Sequence, residues 1–270
     1  MVRDFQGIVD YKVRIFDLCR QMRELIGTHP LIHSSLVTCL AMMCGSIMSV
    51  SAWRVAYYIM MKNRVKEDIA HRSLAIAEGL FAVCATILVG NLNERAFDGD
   101  YVNTWSQNVL LVCSSGYFAH DSFYFVYNSI DDAVNLAHHF ITYVSMMYST
   151  VIGKYGSLIM FYHWAYESTS VPLHLRYIMR KWKMNRTHPE LFTVTELSFI
   201  ILYAFERFVI GVHFSYHILC TSGDIIPVIP KILCATINLS SVAFYNSVFA
   251  LFVRRYGDEF EFFKNLFTSV

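Results

Sequence analysis

The sequence predicts an all-α, polytopic membrane protein with about seven transmembrane helices. Of its 270 residues, 55% are apolar and only 16% are charged, and the mean hydropathy is positive. This composition favours a membrane protein over a soluble domain. Seven stretches approach the roughly 20 apolar residues that a helix needs to cross a bilayer. They lie at about 34–59, 73–92, 108–128, 136–152, 157–178, 196–221 and 229–253.

The segment before the first span is charged, with acidic and basic residues interleaved. It has neither the basic start nor the apolar block of a cleavable signal peptide, so we expect the first helix to direct insertion. The fourth and fifth spans are joined by "GKYG", residues 153–156. A turn this short, bracketed by glycines, predicts an antiparallel helical hairpin. We find no linker or internal repeat that divides the chain into separate domains.

Loop charge predicts the orientation of the spans. Basic residues cluster after the first span, after the fifth span and after the seventh. These are Lys62, Arg64, Lys66 and Arg72; Arg180, Lys181, Lys183 and Arg186; and Arg254, Arg255 and Lys264. The positive-inside rule places all three groups in the cytosol. We therefore predict a lumenal N-terminus and a cytosolic C-terminus, with the sequon at Asn185 cytosolic and unglycosylated.

Charge and cysteine usage exclude some functions. The net charge of +1 gives no basic surface for nucleic acid, so we expect no nucleic-acid partner. The seven cysteines have no metal-finger spacing and mostly lie in apolar runs, which is typical of small core residues.

Polar stripes run along several predicted spans. Ionisable residues inside membrane helices are costly, so each is a candidate for function or for a buried pair. Spacings of 4, 3 and 4 place each set on one helical face. The sets are Tyr117, Asp121, Tyr124 and Asn128; His163, Glu167, Ser170 and His174; and Glu206, Ile210, His213 and His217, with Arg207 beside Glu206. Together with Glu78 in the second span, they predict a polar interior that opens to the cytosol. The alternative is structural pairing, such as Arg207 with Glu167 or Asp121.

Two adjacent histidines, His138 and His139 in "NLAHHFITY", open the fourth span. Imidazole can act as a general base, a nucleophile or a metal ligand. A di-iron site would use "HFSYH" as an HxxxH motif, but such sites need about eight histidines at the cytosolic face, and His213 and His217 lie toward the lumen. Acyl transfer needs only a histidine, a carboxylate such as Asp121 and a cation such as Arg207.

Four segments resemble the TLC domain family, which includes the ceramide synthases, the translocating-chain-associating protein and a neuronal ceroid lipofuscinosis protein. "SSGYFAHDSFYFVYN" is similar to its GYF…D helix, and "LAHHFITYVS" to its paired-histidine helix. "YESTSVPLHLRYIM" and "ERFVIGVH" resemble its hairpin helix and its penultimate helix. The order and spacing agree over about 65–258. With this domain in place, we divide the chain into an N-terminal segment 1–33, a first transmembrane helix 34–64, the TLC domain 65–258 and a tail 259–270.

The resemblance implies a ring of six helices around a lipid-holding cavity, in the endoplasmic reticulum membrane. It implies that His138, His139 and Asp121 are catalytic. Carried over in the same way, the predicted substrate-binding residues are Glu167, Arg207 and His213, and near them we place Glu78, Tyr117 and Tyr124. The H-D-x-S-D signature of ceramide synthases is replaced by "YESTSVPL", which argues against sphingoid-base N-acylation and for the smaller members of the family.

Two functions therefore follow from the sequence. The first is an acyltransferase of lipid homeostasis that moves an acyl chain from acyl-CoA, as co-substrate, to a lipid or lysolipid. The second is a non-enzymatic lipid sensor or carrier that uses the same cavity. We expect no resident cofactor and no metal, and membrane lipids as partners in either case.

Overall fold

The computed structural model describes residues 36–90, 101–128, 132–221 and 226–268. Within these ranges the chain is helical, with no strand and one isolated bridge between Val102 and Lys154. The all-α prediction is therefore confirmed. The predicted N-terminal segment 1–33 and most of the loop after the second span lie outside the described residues.

The helices follow the predicted spans closely. They are α1 Leu36–Lys62, α2 Glu67–Val89, α3 Trp105–Tyr127, α4 Ala133–Ile152, α5 Gly156–Glu167, α6 Ser170–Lys181, α7 Met184–Thr187, α8 Pro189–Ala204, α9 Gly211–Tyr216 and α10 Val228–Thr268. Two π-helical turns, Phe205–Ile210 and His217–Thr221, join α8 to α9 and extend α9. Among the described residues, three segments are long and apolar enough to cross a membrane on length and composition: Glu67–Val89, Pro189–Cys220 and Val228–Tyr256.

The predicted hairpin between the fourth and fifth spans is present. Gly153 ends α4 with a positive φ of 74°, a conformation that glycine adopts without steric cost. Asn103 fastens this turn, because its side-chain oxygen accepts a hydrogen bond from the Gly156 amide at 2.6 Å and its amide group donates to the Ser149 carbonyl at 3.0 Å. The hairpin holds α4 and α5 side by side, and these two helices form much of the site.

The fifth predicted span is interrupted where the sequence predicted one continuous helix. Helix α5 ends at Glu167 and α6 begins at Ser170. The Thr169 hydroxyl donates to the Tyr166 carbonyl at 2.8 Å, which satisfies one of the backbone groups freed at the break. The interruption lies opposite the first π-helical turn, where Ser168 donates a short hydrogen bond to Glu206.

Small residues let the helices approach closely. A Cβ added at Gly116 on α3 would lie 2.4 Å from the Ser49 Cβ on α1. The two helices are therefore too close at this point for any residue larger than glycine. Small residues are typical of helix contacts inside membranes. A buried apolar cluster on α2, α3, α4 and α5, with Leu74, Phe118 and Met146 among its members, forms the centre of the bundle.

Candidate functional site

An elongated cavity lies between α4, α5, the segment after α9 and α10. Its empty space is about 750 Å³, including its open mouth. One end, farthest from the α4–α5 turn, carries the polar side chains of His138, His163, Tyr166 and Glu167. The remainder is lined chiefly by apolar residues. These include Met146, Leu158, Ile159, Ile218, Pro230, Leu233 and Ile237.

The hydroxyl groups along the cavity wall add little polarity. Thr142 and Ser145 both line the cavity, but each donates a hydrogen bond to a carbonyl of its own helix at 2.8 Å. This back-bonding leaves the methyl and methylene groups as the main contact surface. The cavity is thus amphipathic, with a polar end and an apolar length.

His138 is buried at the polar end of the cavity. Its Nδ1 lies 3.2 Å from the Ser240 Oγ on α10. Ser240 already donates its proton to the Ile237 carbonyl at 2.7 Å, so it can only accept from His138. We infer from this network that Nδ1 carries the ring proton. The lone pair of Nε2 is then free for a ligand in the cavity.

His163 and Glu167 lie on the same side of α5 as the cavity. The Nε2 atom of His163 lies 3.0 Å from Glu78 Oε1 and 3.0 Å from Ser114 Oγ. Glu78 is fully buried on α2. Glu78 is not among the lining residues and contacts the lining residue His163, whereas Glu167 lines the cavity itself.

His139 points away from the cavity into a second polar region, which we call the His–Asp cluster: His71, Asp121 and His139. Asp121 is buried, with one oxygen 2.9 Å from His139 Nδ1 and the other 3.1 Å from His71 Nδ1. These contacts are close but are not aligned as strong hydrogen bonds. Neither His139 Nδ1 nor Asp121 Oδ1, the oxygen that faces His71, has a well-aligned hydrogen-bond partner. The cluster places one carboxylate between two imidazoles.

The predicted tyrosines, Tyr117 and Tyr124, lie next to the His–Asp cluster. The Tyr124 ring stacks on His71 with centroids 4.0 Å apart. The Tyr117 ring lies 6.3 Å from that of His139. Next to them, Arg72 Nη1 lies 3.1 Å from His174 Nδ1. Tyr117 and Tyr124 thus lie beside the two histidines of the cluster and are not among the residues that line the cavity.

Arg207 lines a different space, a groove on the outer surface between the π-helical segments and α10. We call it the outer groove: Arg207, Phe208, Val212, Ser215, Tyr216, Leu219, Cys220, Asn238, Ser241 and Val242. The guanidinium carbon lies 3.6 Å from the centre of the Tyr166 ring. Tyr166 lines the cavity and donates to Asn238 Oδ1 at 2.7 Å, so this tyrosine forms the wall between cavity and groove.

The structure thus divides the predicted site residues among three places. His138 and Glu167 share the cavity. Asp121, His139, Tyr117 and Tyr124 form or surround the His–Asp cluster, and Glu78 contacts the cavity residue His163. Arg207 lies in the outer groove, and His213 is exposed and lines neither space. In the described ranges, no three His, Cys, Asp or Glu residues are placed to hold a metal ion.

Sequence reasoning missed His71 and Ser240. His71 lies next to the basic residues that were predicted to form a loop after the first span, so it was not counted in a helix. However, Glu67, His71, Leu74 and Glu78 repeat the 4, 3 and 4 spacing of the other stripes. That spacing would have marked His71 as a member of an inward face. Ser240 had no such signal, because one serine in an apolar helix is ordinary.

The fold and the site define a multi-pass helical membrane protein with an amphipathic internal cavity. A family model described as the TLC domain matches residues 31–254. The match covers most of the chain, so this protein belongs to the TLC domain family, and the resemblance drawn from the sequence is confirmed. No curated protein matches the sequence. Membership associates the chain with membrane lipids.

Proposed function

We propose that this chain is an endoplasmic-reticulum protein of lipid homeostasis that transfers an acyl chain from acyl-CoA to a lipid acceptor. The observation that carries the proposal is that His138 lines the polar end of an otherwise apolar cavity, while its Nδ1 contacts Ser240. The apolar lining suits an acyl chain, whose carbonyl would then lie near the imidazole. Holding reactants in such an arrangement supplies much of the rate acceleration in acyl transfer.

In the proposed reaction, Nε2 of His138 attacks the thioester carbon and the carbon–sulfur bond breaks, releasing the CoA thiolate. The acceptor hydroxyl or amine then attacks the acyl-imidazole carbon. Its proton passes to the Glu167 carboxylate, which lines the same cavity, and the carbon–nitrogen bond breaks to restore the neutral imidazole. His138 acting only as a general base on the acceptor would need no covalent intermediate.

A second candidate, a lipid sensor or carrier, is favoured by one observation. The carboxylate Asp121 contacts His139 and His71, and His138 is oriented by the Ser240 hydroxyl instead. A catalytic imidazole is commonly oriented by a carboxylate. In this alternative, His138 and Glu167 bind the polar group of a resident lipid and nothing is turned over.

The experiment is to purify the protein in detergent, add radiolabelled acyl-CoA and test a panel of lysolipids and sphingoid bases. Formation of an acylated lipid supports the transferase. A covalent acyl adduct on the peptide that contains His138, removed by hydroxylamine, distinguishes acyl carriage from general-base catalysis. Folded, lipid-loaded protein that yields no product from any acceptor would instead establish the carrier.

The proposed orientation, with the N-terminus lumenal and the C-terminus cytosolic, places acyl-CoA binding on the cytosolic side. A glycosylation tag inserted between Glu94 and Asp100, outside the described residues, is expected to be modified. A tag within residues 181–186 is expected to remain unmodified. The reverse result would invert the orientation.

A further inference from the structure

Three basic side chains form one exposed surface where α6 turns into α7, which we call the basic corner: Arg180, Lys183 and Arg186. Within the described ranges, none of the three forms an ion pair or a side-chain hydrogen bond. Their neighbour Lys181, by contrast, is paired with Asp68 at 2.9 Å. The basic corner therefore carries three positive charges that no carboxylate of the described chain contacts.

Backbone hydrogen bonds hold the basic corner together. The Lys183 amide donates to the Arg180 carbonyl at 3.1 Å, and the Arg186 amide donates to the Lys183 carbonyl at 2.9 Å. Lys183 has a positive φ of 61°, and this conformation turns the chain from α6 into α7. An ordered turn therefore presents the three charges together, and it loses less conformational entropy on binding a partner than a flexible loop would.

One more uncompensated charge lies a turn back along α6. Glu196 on α8 is fully buried, and it accepts from Arg176 Nε at 2.6 Å and from Arg255 Nε at 2.9 Å. Two guanidinium groups thus share one carboxylate, so this group keeps a positive charge. Arg176 is four residues before Arg180 and shares its face of α6, so this charge lies beside the basic corner.

Aromatic and apolar side chains border the basic corner. Trp182 is 61% exposed, and tryptophan is typical of the boundary between lipid headgroups and acyl chains. Only His188 separates α7 from α8. On α8, Leu191, Val194 and Ile201 are exposed, and their spacing places them on one helical face. A lipid whose chains lie along this face has its headgroup at the level of the basic corner.

The charge density of this region distinguishes it from the other basic loop of described residues. Residues 62–68, after the first span, contain three basic and two acidic residues. Residues 176–190 contain five basic residues and one acidic residue, Glu190. Some positive charge is expected in the loops of any membrane protein, but a dense basic group with few acids beside a membrane helix is typical of a site for anionic lipids.

We propose that the basic corner binds the anionic headgroups of phospholipids in the surrounding bilayer. The acidic groups of such a headgroup compensate Arg180, Lys183 and Arg186, while its chains lie along the exposed face of α8. One Lys or Arg near an anionic membrane surface contributes about a fivefold gain in affinity. The proposal does not depend on His138, on the cavity or on acyl transfer.

The test uses native mass spectrometry of the full chain, purified in detergent and titrated with phosphatidylserine or with phosphatidylcholine of the same acyl chains. We expect phosphatidylserine to bind about tenfold more tightly, because its headgroup carries a net negative charge. The difference is expected to shrink as the salt concentration is raised, because salt screens exposed charges. Equal affinities for the two lipids would overturn the proposal. Displacement of phosphatidylserine by millimolar inorganic phosphate would assign the basic corner to free anions and would overturn it as well.

A triple variant of the basic corner tests the location of the site. Arg180→Ser with Lys183→Ser and Arg186→Ser is expected to lower the affinity for phosphatidylserine about tenfold, to that for phosphatidylcholine. All three positions are exposed, so we expect a wild-type melting temperature. If the triple variant is unstable, Arg186→Gln alone repeats the test, with an expected loss of about threefold. Unchanged affinity in folded protein rejects the site.

The other basic loop supplies the matched control. Lys62→Ser with Arg64→Ser and Lys66→Ser removes the same number of charges from exposed positions. This control is expected to change the affinity for phosphatidylserine by less than about twofold. An equal loss in the two triple variants would mean a general attraction of the lipid to positive charge, and it would overturn the assignment to the basic corner.

Discussion

His138 and His139 are neighbours in sequence but lie in regions with opposite properties. His138 lines the apolar cavity, with one ring nitrogen on Ser240 and the other free. His139 lies against Asp121, which also contacts His71. The first region has space and few polar partners, while the second has polar partners and no cavity. This difference teaches that the histidine pair is not one chemical unit: His138 lines a cavity, and His139 contacts a carboxylate that joins α2, α3 and α4.

The largest expected effect separates the two histidines by activity. If the protein is an acyltransferase, His138→Ala is expected to lower product formation about a thousandfold, because the reacting nitrogen is lost. His139→Ala is expected to lower it far less per folded molecule. His188→Ala, at an exposed position outside the site, is the control and leaves the rate unchanged. Equal losses in both pair variants would show that the two histidines act together.

The second effect concerns the stability of the His–Asp cluster. Asp121→Asn removes a buried carboxylate that contacts two half-buried imidazoles, and we expect a loss of about 3 kcal/mol in the free energy of unfolding. A thermal or denaturant melt of Asp121→Asn, His139→Ala and the double variant measures their coupling. We expect a coupling of about 1–2 kcal/mol. Additive losses would contradict a direct interaction between the two side chains.

The third effect concerns the shape of the cavity. Leu233→Phe adds bulk to the cavity wall and is expected to shift the preference for bound or transferred chains toward shorter ones by about tenfold. Leu239→Phe, on the exposed side of the same helix, is the matched control. The measurement is the chain-length distribution of product, or of co-purified lipid if no product forms. The same distribution in both variants would remove the cavity as the chain site.

The smallest effect concerns the orientation of the His138 ring. Ser240→Ala removes the acceptor for Nδ1–H, and the cost of about 1 kcal/mol corresponds to roughly a fivefold lower rate. Thr236→Ala, whose hydroxyl also bonds its own helix at 2.8 Å, is the control. A Ser240→Ala enzyme with wild-type kcat would show that the ring does not need this contact.

Much of the fold could be predicted from the sequence, because long apolar stretches and the glycine-containing or charged loops between them are local signals. The helix predicted at 108–128 is Trp105–Tyr127, and that predicted at 136–152 is Ala133–Ile152. The break after Glu167 has one local signal, Pro172 in the first turn of α6, where proline is typical of a helix start, but the prediction of a single helix over 157–178 did not use it. The π-helical turn at Phe205–Ile210 is followed by Gly211, and a single glycine does not predict a π-helical turn. Both depend on side-chain contacts between helices, such as Ser168 with Glu206.

The candidate site was predictable as a set of residue types and not as a geometry. The 4, 3 and 4 spacing correctly marks Asp121 and Glu167 as inward-facing, because a helical face repeats at 3.6 residues. It cannot tell which inward space each one meets. Asp121 is part of the His–Asp cluster and Glu167 lines the cavity, although both were predicted to share one site. The roles assigned to these residues, and the division into domains, stay predictions.

The sequence by itself determined the class of protein, the order of the helices and membership of the TLC domain family, since hydropathy and short motifs are properties of local sequence. Only the tertiary structure decided that His138 faces the cavity while His139 faces Asp121. Successive side chains on a helix point about 100° apart, so adjacent residues cannot share one direction. The packing of α4 against α3, α5 and α10 decides which of the two side chains faces a cavity and which faces a carboxylate. No local sequence pattern specifies this rotation of α4 about its axis.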